Sequence, residues 1–515
     1  MRQLAKKIDL HIIFIILVSS FALYLAHYHY TGIYSTINSF LVEAKTPLNY
    51  PYPYFSDEWY AVAFIKDAII TQSLPVRNPI WYGPFTNLEM AFHSLLAEIV
   101  LLLSLNPLLG YVPLSIAINV LIIVLIYMFL VISNVKKPLS AIASLCALYI
   151  INTSFVPGLW SLIPLTMGIV FLLLSMSFYY LKSRKMFMLA SFLTLIFYPP
   201  LAPFIFVLML FQLNNKSVRE NLKSAVQFMA IIALSAILVA SLFLFDRFAP
   251  EQIFQMILGK LLYASYAGDN IVFSFPIYFA IPLPVLLLSF LGIPVVYKKK
   301  KALFFMVIVS LAFWICYSFT SYSFIIEFVR LVIVGSVLLV VVAGFGLTYL
   351  FEKFEKYTYS KDHWKLVKLQ YVILFLFVPL LFLYTKSDAW SHFSGKNEKV
   401  LVYNLPLANQ FFHPEDLRIF SEIKNQRFFS FPWKGSVISV ATNNFPLTIK
   451  SGSISGPVQD YLEQFRKYSC KEKLDFVKRH ELVYVYIPEL TISCPNFSLK
   501  DKSEEGILLY KVNLN

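Results

Sequence analysis

Residues 10–28 read LHIIFIILVSSFALYLAHY, a run with no Lys, Arg, Asp or Glu, and Arg2, Lys6 and Lys7 precede it. A spanning helix needs roughly 20 mostly apolar residues. The run is too long for a signal-peptide core and ends in no clear small-x-small cleavage site, so it reads as a retained anchor. The rest of the chain extends this character. Of 515 residues 58% are apolar and 14% charged, and mean hydropathy is +0.68. Soluble chains run at about 45–50% apolar and about 25% charged, so a soluble enzyme is excluded, and so is disorder. Aromatic residues reach 17%, with 49 Phe and 32 Tyr, which suits a lipid-solvated chain with many interfacial rings.

Further apolar runs follow at 110–133, 139–156, 160–181, 186–198, 199–213, 225–245, 272–296, 302–320, 324–350 and 366–385. Basic clusters alternate with connections nearly free of Lys and Arg: 136–137, 182–185, 216–223, 298–301 and 353–368. With the N-terminus inside, the inner side holds twenty basic residues. The outer connections before residue 386 hold five: Lys45, Lys66, Arg77, Arg247 and Lys260. This asymmetry sets orientation. The net charge of +14 is thereby assigned to the inner membrane face, not to nucleic acid. The expected fold is an α-helical polytopic membrane protein of about eleven spans, multi-pass in the cell membrane, with a cytoplasmic N-terminus. Runs 186–198 and 199–213 meet at Tyr198-Pro199-Pro200 and read as a thin hairpin. The run 88–105 breaks the parity. It reads as an interfacial or re-entrant helix with Glu89, His93 and Glu98 along it, the alternative being a twelfth span.

The expected domains are a membrane domain, 1–385, and a small extracytoplasmic mixed α/β domain, 386–515. The membrane domain carries outer segments at 29–109 and 246–271. The tail alternates short apolar runs (428–431, 436–441, 482–487, 507–512) with polar turns and holds one helix-like stretch at 459–468. Cys470 and Cys494 bracket a strand-like segment there. Paired in an oxidising exterior, they would close a loop worth roughly 3 kcal/mol; two unpaired thiols are the other reading. Cys146 and Cys316 lie in apolar runs and read as packing residues.

The candidate chemistry centres on Asp57-Glu58-Trp59, within Tyr54-Phe55-Ser56-Asp57-Glu58-Trp59-Tyr60. Carboxylates at membrane depth are expensive and so are functional candidates. Rings that exclude water raise a carboxylate pKa toward that of a useful base. The alternative is a helix N-terminus capped by Ser56, with the acids complementing the dipole. After the acids come an amphipathic stretch at 61–70, then Ser73-Leu74-Pro75-Val76-Arg77-Asn78-Pro79, Gly83-Pro84 and the interfacial helix.

This order resembles the first outer loop of the GT-C superfamily of integral-membrane glycosyltransferases, and the plan is similar from residue 1 to 515. The resemblance implies a sugar donor linked to a polyprenyl phosphate or diphosphate and a glycan, lipid or protein acceptor at the outer face, in cell-envelope glycosylation. Asp57 matches the acidic position that serves as general base or, in some members, binds a divalent metal; Glu58 is its neighbour in the motif. Arg330, at the outer end of the 324–350 run, resembles an arginine that acts on the donor phosphate, a task its planar fork suits. Glu327, three residues earlier, offers a structural ion pair instead. Lys260, Tyr263, Tyr266 and Asp269 are candidates for the same cleft, as is His93; a solvated loop is the alternative for the first four.

The loop Asn152-Thr153-Ser154-Phe155-Val156-Pro157-Gly158-Leu159-Trp160 departs from the family pattern in lacking an acid. That lowers the expectation of Mg²⁺ or Mn²⁺, which prefer oxygen ligands, and favours a metal-independent base. There is no P-loop, dinucleotide glycine pattern or His/Cys metal spacing. Gly344-Phe345-Gly346 reads as helix packing. Phe431-Pro432-Trp433-Lys434-Gly435 weakly resembles a segment of outer domains in GT-C-like proteins. It reads as a turn with a buried ring, with sugar contact through Trp433 as the alternative. Two other classes remain open: a transporter or flippase of lipid-linked glycans, and a non-catalytic membrane protein presenting the tail.

Overall fold

The computed structural model describes residues 9–30, 33–35, 41–43, 48–49, 51–53, 56–75, 79–80, 89–150, 161–212, 226–227, 230, 262–264, 281–320, 322–357, 369–377, 379–380, 412, 414–430, 432–447, 458–488, 491–503 and 506–513. In chain order its helices are α1 (Leu10–Tyr28), α2 (Ser56–Thr71), α3 (Met90–Leu102), α4 (Tyr111–Ile132), α5 (Lys137–Leu145), α6 (Pro164–Tyr180), α7 (Arg184–Phe197), α8 (Ala202–Gln212), α9 (Leu283–Lys299), α10 (Lys301–Thr320), α11 (Phe328–Tyr357), α12 (Pro414–Phe420), α13 (Pro432–Thr442), α14 (Val458–Lys467) and α15 (Cys470–Arg479). The chain forms two compact units. One comprises Met1–Ala26 and Leu114–Trp390, the other His27–Pro113 and Ser391–Asn515. The first outer segment thus groups with the tail.

The first unit is an apolar helical bundle. Among the described residues, three helices are long and apolar enough to cross a membrane: Tyr111–Ile132, Lys301–Thr320 and Phe328–Phe354. The run at 139–156 is not one helix. α5 ends at Leu145 and a 3₁₀ turn, Cys146–Tyr149, follows. The hairpin at Tyr198-Pro199-Pro200 is present. Its 3₁₀ apex, Pro199–Leu201, packs on Gly168 of α6, and α8 returns so that Phe211 stacks on Phe305 of α10 at 5.1 Å.

Two polar contacts hold basic residues at helix ends within the bundle. Asp9 receives Lys137 Nζ at 2.8 Å, the Tyr127 hydroxyl at 2.8 Å and His11 Nδ1 at 2.9 Å. Lys300 lies 4.2 Å from the centre of the Tyr180 ring. The first contact joins the start of α1 to the α4–α5 turn, and the second joins the end of α6 to the α9–α10 turn.

α9 and α11 approach backbone to backbone. A Cβ on Gly292 would lie 2.2 Å from the Val342 carbonyl oxygen, and one on Gly346 would lie 1.9 Å from that of Leu288. The Ser289 hydroxyl donates to the Leu339 carbonyl across the same contact at 2.8 Å. Lipid tails are as apolar as leucine, so close packing and interhelical hydrogen bonds hold such helices together. Gly344 packs on Leu130 and Ala143. The Gly344–Gly346 motif therefore serves packing, as its sequence suggested.

The second unit is built around a mixed sheet. Its strands are β7 (Arg427–Phe429), β8 (Phe445–Pro446), β9 (Tyr484–Pro488), β10 (Phe497–Lys502) and β11 (Ile507–Val512), in the order β10-β11-β9-β7-β8. The short strands β1 (His29–Tyr30), β2 (Ile33–Ser35), β3 (Leu41–Glu43) and β4 (Leu48–Asn49) form two-stranded pairs in the outer segment. β5 (Leu262–Ala264) and β6 (Tyr322–Phe324) pair in the first unit. Phe429, Phe465, Phe476, Val485 and Tyr510 belong to the core of the sheet domain. Cys470 and Cys494 are joined in a disulfide, so the paired reading holds.

Run 436–441, strand-like in its β-branched content, is helical as part of α13. Pro432 sits at the start of that helix, and Asn443 adopts φ 58° just past its end. Proline at a helix start and asparagine in the left-handed region at its close are both stop-and-start signals for a helix. α3 has 13 residues, about 20 Å at the helical rise, short of the roughly 30 Å hydrocarbon core.

The glycine contact predicts a graded response. Gly346→Ala drives a methyl group into the Leu288 carbonyl, which belongs to a helix backbone and cannot rotate away. It is expected to cost about 1–3 kcal/mol. Gly335→Ala meets only the Ser310 hydroxyl, at 2.6 Å, which can turn aside, and should cost less. Thermal unfolding of the two variants in detergent checks the order.

Candidate functional site

α2 carries the acidic pair in its first turn. The N-terminal end of a helix bears a partial positive charge that favours carboxylates, and the acids lie at that end, with Ser56 as the first residue of the helix and not its cap. Burial separates the two acids: Glu58 is 2% exposed, whereas Asp57 is half-buried, and Trp59 beside them is 1% exposed.

Helical periodicity gives α2 two working faces. At 100° per residue, Asp57 and Phe64 project to one side, and Trp59 and Lys66 project to nearly the opposite one. On the first side, Phe64 stacks on His93 of α3 with centroids 4.6 Å apart. The carboxylates of Glu58, Asp57 and Glu89 all lie within electrostatic range of the fully buried Tyr111 at the start of α4. On the other side, Trp59 meets Phe412 edge-on at 5.7 Å, and Tyr52 meets the same ring at 5.0 Å. Lys66 Nζ donates to the Val440 carbonyl at 2.5 Å and to Asn443 Oδ1 at 2.8 Å. Burial lowers the Lys66 pKa.

His93 is 3% exposed, and burial brings its pKa down to about 3. It is thus a neutral ring packed between Phe64 and Phe92. In the first turn of α13, Lys434 of the FPWKG segment forms a buried ion pair: its Nζ lies 2.6 Å from Asp416 Oδ2, and the Tyr486 hydroxyl donates to Asp416 Oδ1 at 2.8 Å. Trp433 lies in the first turn of α13.

In the first unit, Arg330 sits in the first turn of α11 and is mostly buried. Its Nε lies 3.4 Å from Glu327 Oε2, so the ion pair anticipated as the structural alternative is formed. β6 leads into that helix through Ile325, whose φ of 66° is unusual for a β-branched residue. β6 also pairs antiparallel with β5, setting Tyr263 opposite Ser323. The second outer segment is thereby tied to the lead-in to Arg330. Lys260, Tyr266, Asp269 and the loop 152–160 lie outside the described residues. Among the described residues, no group of three His, Cys, Asp or Glu side chains is arranged to hold a metal ion.

Sequence reasoning marked Asp57, Glu58 and Arg330 but passed over Tyr111, Phe412 and Asn443. Tyr111 was hidden by its place at the head of an apolar span. Phe412 and Asn443 lie hundreds of positions from α2. Lys66 did leave a signal: it is one of only five basic residues in the outer connections.

No family model matches the sequence, and no curated protein matches it either. Solved structures do. The chain aligns over 93% of its length with AglB, an archaeal oligosaccharyltransferase from Archaeoglobus fulgidus, in complex with an inhibitory peptide and a dolichol-phosphate. The TM-score is 0.53, identity is 11%, and 69% of that chain is covered. The apo form of the Archaeoglobus fulgidus enzyme aligns over 92%, with TM-score 0.53, 12% identity and 69% of its own chain. The same enzyme tethered to an acceptor peptide containing the NVT sequon gives TM-score 0.51 at 12% identity, over 92% of this chain and 68% of that one. At this identity the likeness is one of fold: the chain is folded like the archaeal oligosaccharyltransferase.

The buried imidazole makes the fold acid-sensitive. His93 binds a proton near pH 6.5 when unfolded and only near pH 3 when folded. Its contribution is therefore complete above about 6.5 and declines as the pH falls toward 3. Between pH 7 and pH 5 the loss should be about 2 kcal/mol. His93→Phe retains an aromatic ring for stacking and should lose less melting temperature over that interval than the wild type.

Proposed function

We propose that the protein is a GT-C-type glycosyltransferase that moves a sugar from a polyprenyl-phosphate-linked donor to an acceptor at the outer membrane face. The observation that carries this reading is the acidic pair in the first turn of α2, one carboxylate buried and the other half-buried, within a chain of GT-C fold. Asp57 acts as general base. It takes the proton from the acceptor nucleophile as that atom attacks the anomeric carbon, and a base held in place contributes typically about 10²–10⁴-fold. Glu58 orients or assists it from its buried position.

Arg330 holds the donor phosphate and stabilises the charge that grows on it as the glycosidic bond breaks. Glu327 then keeps the guanidinium in place before the donor arrives. In this reading the N-terminus is cytoplasmic, the chain has about eleven spans, and the tail lies outside. The mechanism proposed uses no metal step.

Asp57→Asn keeps the shape of the side chain and removes the base. Transfer, measured in detergent where transport is impossible, should fall by about 10²–10⁴-fold with melting temperature retained; unchanged turnover would remove the assignment. Arg330→Lys keeps the charge but loses the fork. It should raise the KM for the donor about tenfold, matching the roughly 1.5 kcal/mol lower bound for a charged hydrogen bond. An unaltered donor KM would release Arg330 from its role.

A further inference from the structure

We infer that Lys66 is a positioning residue for Asp57: the C-terminal segment clamps α2 through Lys66 and Trp59 and so fixes where the acidic pair stands. The inference rests on the glycosyltransferase reading for its catalytic consequence, but not for the clamp itself.

The clamp has two points. Trp59 and Lys66 are seven residues apart, so they share one face of α2, separated by about 10 Å along its axis. The first point is aromatic: Trp59 and Tyr52 close on Phe412, and all three rings are buried. The second is polar. α13 ends at Thr442, and the Lys66 ammonium sits at that end on the Val440 carbonyl and the Asn443 side chain. Terminal carbonyls of a helix have no partner within the helix, and a cation there also meets the negative end of the dipole. A single contact would leave α2 free to roll or slide. Two contacts on one face fix both motions, and Asp57 projects from the opposite face.

The grip is only as firm as α13, and α13 is itself anchored at both ends. Its first turn is held by the buried Lys434–Asp416 pair, with Tyr486 on the other carboxylate oxygen. Its last turn closes on Asn443, whose backbone N–H returns to the Ser439 carbonyl at 2.9 Å. α12, which carries Asp416, begins two residues after Phe412. The aromatic point and the ion pair are thus joined by a very short stretch of chain. Misplacing a reacting group by about 1 Å can cost about 10²-fold in rate, so a loosened α2 should appear in turnover before it appears in binding.

The test uses the full-length chain in detergent, with polyprenyl-phosphate-linked sugars extracted from the source membranes as donor. Lys66→Met should lower kcat about tenfold or more with the donor KM unchanged. It should also speed amide hydrogen exchange across residues 57–66. Lys66→Arg, which keeps a cation within reach of the helix end, should restore both. Asn443→Gly is the gentler variant, since glycine preserves the left-handed close of α13 while removing only the side-chain acceptor; it should give a smaller change in the same direction. Unchanged exchange over 57–66 in Lys66→Met overturns the clamp. Faster exchange with unchanged kcat overturns the positioning role. Wild-type protein without transfer overturns the glycosyltransferase reading and the positioning role with it, whereas the exchange comparison still decides the clamp.

Discussion

Glu58 is a carboxylate withdrawn from water at the tip of a helix, and that burial constrains everything around it. A buried charge costs several kcal/mol unless its surroundings compensate. The helix dipole returns only about 0.3–2 kcal/mol, so α2 cannot hold its acids by its own geometry. The helix is in addition packed on two sides. α3 supplies one wall, through Phe64 and His93, and the tail supplies the other, through Phe412 and the end of α13. These contacts join the first outer segment and the C-terminal segment in one unit although more than 270 residues separate them in sequence.

The bundle is governed by a different rule. In lipid the hydrophobic effect no longer drives helices together, so contact quality decides. The Gly292–Gly346 crossing shows what this demands: two backbones touching, with a serine hydroxyl bonded across the seam. The same economy of polar groups appears at the bundle ends. Asp9 gathers Lys137, Tyr127 and His11, and Lys300 lies over Tyr180. Lys137 and Lys300 thus each have a carboxylate or a ring to meet.

Patterns that act locally were legible in the sequence. α1 runs from Leu10 to Tyr28, the limits of its apolar run, and α14 and β11 fall within a residue of the stretches read for them. Hydropathy and periodicity encode such elements directly. Elements held by partners were not legible. Three-residue strands such as β5 and β6 have no pattern of their own and exist because each completes the other. Residues 436–441 carry β-branched side chains suited to a strand, but Pro432 and Asn443 frame them as a helix, and tertiary packing prevailed over propensity. At the candidate site the acids were visible because charge is rare near the membrane. The residues that hold them, Phe412, Asn443 and Tyr111, are unremarkable types whose meaning lies in what they touch.

Lys66 joins these two kinds of information. Lys66 follows Ala61–Ile65, five residues that are all buried, so its charge calls for a local partner. That partner is the end of a helix contributed by the far end of the chain. An aliphatic residue at that position would suit an apolar face, but it would leave the end of α13 with one fewer donor. Structures at 11–12% identity retain the order and packing of helices and establish fold alone. Whatever chemistry the chain performs must therefore be argued from contacts of this kind, in which a charged residue is explained by the partner it serves.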